Sequence, residues 1–227
     1  MRLDQLRWPE VSARAPASLL AVPVGSTEQH GPHLPLSTDS DIAVALCERL
    51  ATGRGDVLVS PPLAYGSAGE HCGFPGTLSI GAHAVQRVLV ELGRSADAFG
   101  GVVFVSTHGG NAGPVAAAVR LLTSESRPVR AWSPAPVAGA APGDAHAGFV
   151  ETSVMLALRP TLVDLRAAAA GRTEPLRELM PALRAAGVRA VSPNGVLGDP
   201  SGASAARGEE VLAGWTASLA AALEGWP

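Results

Sequence analysis

At 227 residues the chain is long enough for one domain to bury roughly 70% of its extended surface, so no disulfide framework is needed to explain folding. Charged residues make up only 16% and apolar residues 47%, with a mean hydropathy of +0.22; this excludes a disordered chain and leaves little charge to cover the outside, so burial against partner subunits is expected. The formal charge is -3, all 17 basic residues are arginine and none form a run, which argues against a nucleic-acid backbone binder.

The N-terminal MRLDQLRWPE has no apolar signal core, and no apolar stretch approaches the roughly 18 residues of a membrane span. The two cysteines, Cys47 and Cys72, suit a reducing compartment, so a cytoplasmic protein without membrane attachment is expected. No repeat or linker divides the chain, and residues 1–227 are expected to form a single domain.

The first strand candidate is SLLAVPVG, residues 18–25, closed by glycine and feeding the polar, turn-rich STEQHGPHLPLSTDSD. A helix is expected over residues 41–50, with Asp39 or Ser40 as its cap. DVLVSPP is the second strand candidate. The Gly-rich YGSAGEHCGFPGTLS follows, and then a helix over 81–100 whose Val85, Val88, Leu89 and Leu92 recur at helical spacing. VVFVS, residues 102–106, reads as a buried parallel strand that ends in THGGN and a helix. VRAWSP is a possible fourth strand, and FVETSVMLALRP reads as a helix ended by Pro160. Further helical stretches lie around 174–186 and 204–224. Alternating strands and helices predict an α/β fold whose parallel sheet carries its site on the loops at the strands' carboxyl ends, where most of the histidines fall.

The densest chemical signal is Glu28-Gln29-His30-Gly31-Pro32-His33, followed by Asp39. These oxygen and nitrogen donors suit Zn, Mn or Fe, and Asp39 could bridge two ions; a hydrogen-bonded polar loop is the alternative. His108, in THGGN, is a further candidate ligand, while Asn111 is either a substrate contact or an N-cap. Glu151 is expected to point inward from the first turns of its helix as a metal carboxylate, and His146 to approach from the entering loop as a catalytic acid or base. Glu70-His71 with Phe74 to Ser79 is expected to form a pocket wall or a subunit contact, a plain tight loop being the alternative for Phe74 to Ser79, and His71 is placed to touch substrate. The chain has no GxSxG elbow and no lysine for a phosphate loop.

Together these segments resemble the creatininase family of metal-dependent amidohydrolases. Glu28, His30 and Asp39 match its first ligand group in order and spacing, His108 its histidine after a central strand, and His146 with Glu151 its HAGxxE segment. SPPLAYGSAGEHCGFPGTLS resembles the segment between them, and the similarity spans about residues 18–160. The resemblance implies a three-layer α/β/α sandwich, two divalent ions (Zn and/or Fe, with Mn also fitting) and a homohexamer built from dimers. It implies that Glu28 and His108 bind one ion, that His30 binds the other, and that Asp39 bridges them. Creatinine-hydrolysing members carry a glutamate two residues after the strand-exit histidine, where this chain has Gly110; that departure weakens creatinine as substrate and makes Glu151 the replacement ligand.

The compact length and GSTEQHGPHLPLSTD are most similar to the family branch of the mycofactocin system. That branch implies a modified precursor peptide as substrate, cut before its C-terminal Val-Tyr-derived unit to release the modified dipeptide core. Hydrolysis of creatinine or of a formamide, as in other branches, stands as the alternative. The chemistry implied throughout is ion-activated attack of water on an amide carbonyl, with His146 donating a proton to the departing nitrogen. A binding module without catalysis is the rival from a different class.

Overall fold

The computed structural model describes residues 1–226. Four strands, β1 (Leu19–Val24), β2 (Val57–Val59), β3 (Gly101–Ser106) and β4 (Val129–Trp132), form one parallel sheet in the order β2-β1-β3-β4. Leu19 lies opposite Val57 on one side and Gly101 on the other. Every residue of β1 and β3 is buried, because both faces of the sheet are covered and a strand there has no solvent side on which to place polar residues.

Alternation along the strands divides the interior into two layers. Leu19, Ala21, Val57, Val59, Val103, Val105 and Trp132 face a core shared with α2 (Thr38–Gly53), α5 (Phe149–Leu158) and α7 (Ala205–Ala222). Leu20, Val22, Val24, Val102 and Phe104 face the opposite core, against α3 (Ala82–Ser95) and α4 (Ala112–Ser124). The fold is therefore an α/β/α sandwich with a parallel central sheet. After β1 the chain moves outward to β2, then returns past β1 to β3. A right-handed crossover that reverses direction must change face, which puts α2 on one side of the sheet and α3 and α4 on the other. The reversal opens a crevice beyond the carboxyl ends of β1 and β3, the place where parallel sheets hold ligands.

Several boundaries differ from those expected. β2 stops at Val59, since Pro61 and Pro62 cannot donate to a ladder. α2 begins three residues early, at Thr38, and neither Asp39 nor Ser40 caps it. Ser37 Oγ donates instead to the Asp41 carboxylate at 2.8 Å, leaving the Asp39 side chain for the crevice. α3 ends at Ser95 rather than near residue 100. The stretch around 174–186 extends as α6 (Leu176–Val191), interrupted at Gly187, whose φ is 75°. A short helix, α1 (Trp8–Arg14), had not been anticipated; its seven residues bury no side chain and leave no periodic signal. No helix among the described residues is long and apolar enough to cross a membrane.

Candidate metal centre

The loop leaving β1 presents Glu28 and His30 from an extended segment, so that alternate residues face the crevice together. It is held by main-chain bonds from Glu28 N–H to Leu36 O (3.1 Å) and from Leu78 N–H to Thr27 O (2.9 Å). Thr107, at the exit of β3, donates its hydroxyl to Asp39 O at 2.7 Å, fixing the start of α2 beside His108. Glu151 lies in the first turn of α5 and His146 in the loop before it. Between them Ala147 adopts φ 53°, a left-handed conformation that costs a non-glycine residue of order 1 kcal/mol. Its N–H donates to Glu151 Oε2 at 2.6 Å, aiming that carboxylate inward.

These side chains meet. Asp39 Oδ1 lies 3.6 Å from His30 Nε2, and Asp39 Oδ2 lies 3.5 Å from His108 Nδ1. His108 Nδ1 is also 3.1 Å from Glu28 Oε2, and His30 Nε2 is 3.9 Å from Glu151 Oε2. Asp39 thus stands between Glu28 with His108 and His30 with Glu151, presenting one oxygen to each. All except Glu151 are at least nine-tenths buried. Nevertheless both Glu28 oxygens, His30 Nε2 and Asp39 Oδ2 have no hydrogen-bond partner among the described residues. Buried carboxylate and imidazole atoms left unbonded are costly unless something binds them. Each group also offers ligand atoms close together: Glu28, Asp39 and His108 form one cluster and His30, His146 and Glu151 another. This is an oxygen and nitrogen donor set suited to two divalent ions.

Without such ions, imidazolium groups balance the carboxylates. Burial opposes charge on His30 and His108, but Asp39 with Glu151 carries the first up to about 10, and Glu28 with Asp39 carries the second up to about 9. Burial would raise the Glu28 carboxyl, yet the surrounding histidines hold it well below the carboxylate range. Burial and the Glu28 charge push Asp39 up to about 6 against the pull of His30 and His108. His71 and His146 behave oppositely: burial and neighbouring histidines lower them to about 3 and about 4, so both rings are neutral.

Next to this centre opens a cavity of about 670 Å³, whose wall includes Glu28, His71, His108 and His146 together with Met180, Leu183, Val188 and Leu197. His71 Nε2 is 3.4 Å from Glu28 Oε1. Asn111 sits behind the wall: its amide donates to Gly25 O at 2.9 Å and accepts from Ser67 N–H at 2.9 Å, and it makes no side-chain cap to α4. His33, in the same motif as Glu28 and His30, turns away to pair with Thr152 Oγ1 at 2.9 Å.

Two side chains make contacts that the residue pattern does not show. Gln29, between Glu28 and His30, bonds to His71 and to the loop carrying Gly195; its only signal is its place in the motif. Glu70 brings a carboxylate oxygen to 3.8 Å from His108 Nε2. A Cβ at Gly110 would lie 2.7 Å from that oxygen and 2.5 Å from His108 Nε2, and would press on Ser67 O. Position 110 therefore has no room for a carboxylate side chain, whereas Glu151 reaches His30 from α5.

The family model described as creatinine amidohydrolase matches residues 4–223. The mycofactocin precursor peptide peptidase of Mycolicibacterium smegmatis is 49% identical over 214 residues, covering 92% of this chain and 85% of its own length. A crystal structure of creatinine amidohydrolase superposes with a TM-score of 0.81 at 28% identity, covering 100% of this chain and 98% of that one. A creatininase variant described as Zn-Zn type, at 27% identity and 100% and 98% coverage, gives a TM-score of 0.78. With its sheet, its carboxylate and histidine clusters and a family match over nearly its whole length, the chain is a metal-dependent amidohydrolase of the creatininase family.

Proposed function

We propose that the chain is a peptidase of mycofactocin biosynthesis, hydrolysing the amide before the modified C-terminal Val-Tyr-derived unit of the precursor peptide and releasing the modified dipeptide core. The observation that carries this reading is the 49% identity over 92% of the chain with a peptidase named for that substrate. The cavity supports it: about 670 Å³ walled in part by Met180, Leu183, Val188 and Leu197 suits a bulky, partly apolar peptide end better than a single small polar ring.

Glu28, Asp39 and His108 hold one divalent ion in this reading, and His30, Asp39 and Glu151 the other. Zn and Fe fit the mixed donors, as does Mn. The ions supply activation of water and polarisation of the scissile carbonyl. The chain's own groups do the rest. His146 is neutral, with Nε2 at 2.9 Å from Gln29 O and Nδ1 at 3.8 Å from Glu28 Oε1. Nδ1 takes a proton from the attacking water as the oxygen–carbon bond forms, then gives it to the departing nitrogen as the carbon–nitrogen bond breaks. His71 Nε2 faces the same space and contacts substrate. Asn111 holds the loops that carry Gly25 and Ser67, and so acts on substrate only through the shape of the wall.

A homohexamer belongs to the same proposal. Leu36, Tyr65, Leu78 and Ile80 are exposed on segments joined by the bonds from Leu78 N–H to Thr27 O and from Ile80 N–H to Gly66 O. This apolar exposure, on a chain poor in charge, suits a subunit contact.

Turnover with controlled ion loading, comparing the modified precursor peptide, creatinine and a formamide, tests the substrate. Release of the modified dipeptide core is the expected result. Hydrolysis of creatinine or the formamide with an intact peptide would overturn the assignment.

A further inference from the structure

We infer that Gln29 is a positioning residue that sets the tautomers of His71 and His146, making His71 a hydrogen-bond donor at Nε2 and leaving the His146 Nδ1 lone pair facing the reaction space.

The hydrogens around one buried amide fix both tautomers. Gln29 is 5% exposed. Its Oε1 accepts from Gly31 N–H at 2.9 Å, and its Nε2 donates to Gly195 O at 3.1 Å. Main-chain donors and acceptors have fixed roles, so these two bonds settle which end of the amide is nitrogen. Gly195, at φ 81°, has no Cβ to press against the Gln29 amide, which lets its carbonyl approach this closely.

The Nε2 group has two hydrogens. It lies within reach of three acceptors: Gly195 O, His71 Nδ1 at 2.8 Å and His146 Nε2 at 3.0 Å. His146 Nε2 is also 2.9 Å from the Gln29 carbonyl oxygen, which can only accept. One arrangement satisfies every group: His146 Nε2–H donates to Gln29 O, and the two amide hydrogens go to Gly195 O and His71 Nδ1. His71 therefore carries its proton on Nε2, toward Glu28 Oε1 at 3.4 Å, and His146 Nδ1 is bare.

A consequence follows for ion binding. Glu28, His71 and His146 offer ligand atoms as close together as Glu28, Asp39 and His108 do. Binding an ion through His71 Nε2 requires that proton to move to Nδ1 and the Gln29 bond to break, so the hydrogen bonds favour this third group without an ion. It remains a donor and acceptor pair beside the other two. The consequence for turnover rests on the proposed peptidase reading; the tautomers do not.

The decisive measurement is the two-bond 15N–1H spectrum of the imidazoles in 15N-histidine-labelled, ion-free protein, with signals assigned from His71→Gln and His146→Gln. Both rings are expected as Nε2–H tautomers. A proton on Nδ1 of either ring would overturn the inference without touching the substrate assignment, and the wild-type spectrum needs no variant to fold. In Gln29→Glu the acceptor reverses, and His71 Nδ1 should acquire a proton. Gln29→Met should bind two ions as before, keep KM within about twofold and lose about 10–100-fold in kcat, the scale expected when reacting groups lose their orientation. An unchanged kcat in Gln29→Met, or an unchanged His71 signal in Gln29→Glu, would also overturn it.

Discussion

Replacing Gly110 by Ala tests whether close packing behind His108 sets the properties of the centre. A methyl group there would lie 2.5 Å from His108 Nε2 and 2.7 Å from Glu70 Oε1, and would press on the Ser67 carbonyl. Glu70 is a flexible side chain and can move. Ser67 O is main chain, and it accepts the His108 Nε2–H at 3.0 Å, the bond that leaves Nδ1 free to face Glu28 and Asp39. Overpacking at a buried position costs about 1–3 kcal/mol, and an unsatisfied buried donor costs about 1–3 kcal/mol. The two are alternatives, since a loop that yields breaks the bond, so the expected loss is about 1–3 kcal/mol. At roughly 2–4 °C per kcal/mol for a chain of this size, the melting temperature should fall by roughly 2–12 °C. Zinc affinity should weaken by about 10–100-fold, as it does when the hydrogen-bond partner of a ligating histidine is lost. Gly109→Ala is the control, because a Cβ there meets nothing within 4 Å; its stability should stay within about 0.5 kcal/mol. The assay is thermal unfolding together with zinc competition against a chromophoric chelator. If Gly110→Ala behaves as Gly109→Ala does in both, the close approach is not what requires glycine at position 110.

Three other expectations can be checked separately. His146→Ala should depress turnover by about 10²–10⁴-fold with both ions retained, whereas Glu151→Gln should weaken retention of one ion; metal analysis and turnover on the same preparations would reverse the two roles if the losses were exchanged. His30 and His108, raised to about 10 and about 9 in the ion-free chain, are protonated at neutral pH, so zinc loading at pH 7 should release about two protons per chain, and affinity should fall as pH falls. The same raised values stabilise the ion-free fold fully below the ordinary histidine pKa of about 6.5, and that contribution is lost as pH climbs through 9 to 10; loading that releases no protons would contradict both statements. Light scattering should give a mass near six chains, and a monomer throughout the active concentration range would remove the hexamer.

The sequence by itself marked the residues that gather at the centre and the framework that carries them. Uninterrupted apolar runs closed by glycine or threonine marked β1 and β3, because strands covered on both faces have no polar alternation to show. Glu28, His30, Asp39, His108 and Glu151 were legible because oxygen and nitrogen donors on strand-exit loops are rarely otherwise so dense. The structure places His146 in the loop before α5 and Glu151 in its first turn, where the residue pattern put them. Tertiary structure decided what depends on distance between remote segments. Only folding brought Glu70 against Gly110 and closed that position to a side chain. Only folding placed the Asn111 amide between the loops carrying Gly25 and Ser67, and set the Gln29 amide between His71, His146 and Gly195. The placements of Asn111 and Gln29 depend on which donor finds which acceptor across 40 or more residues of chain. A linear pattern records residue type and local period, whereas the partner of a buried polar group is fixed by packing.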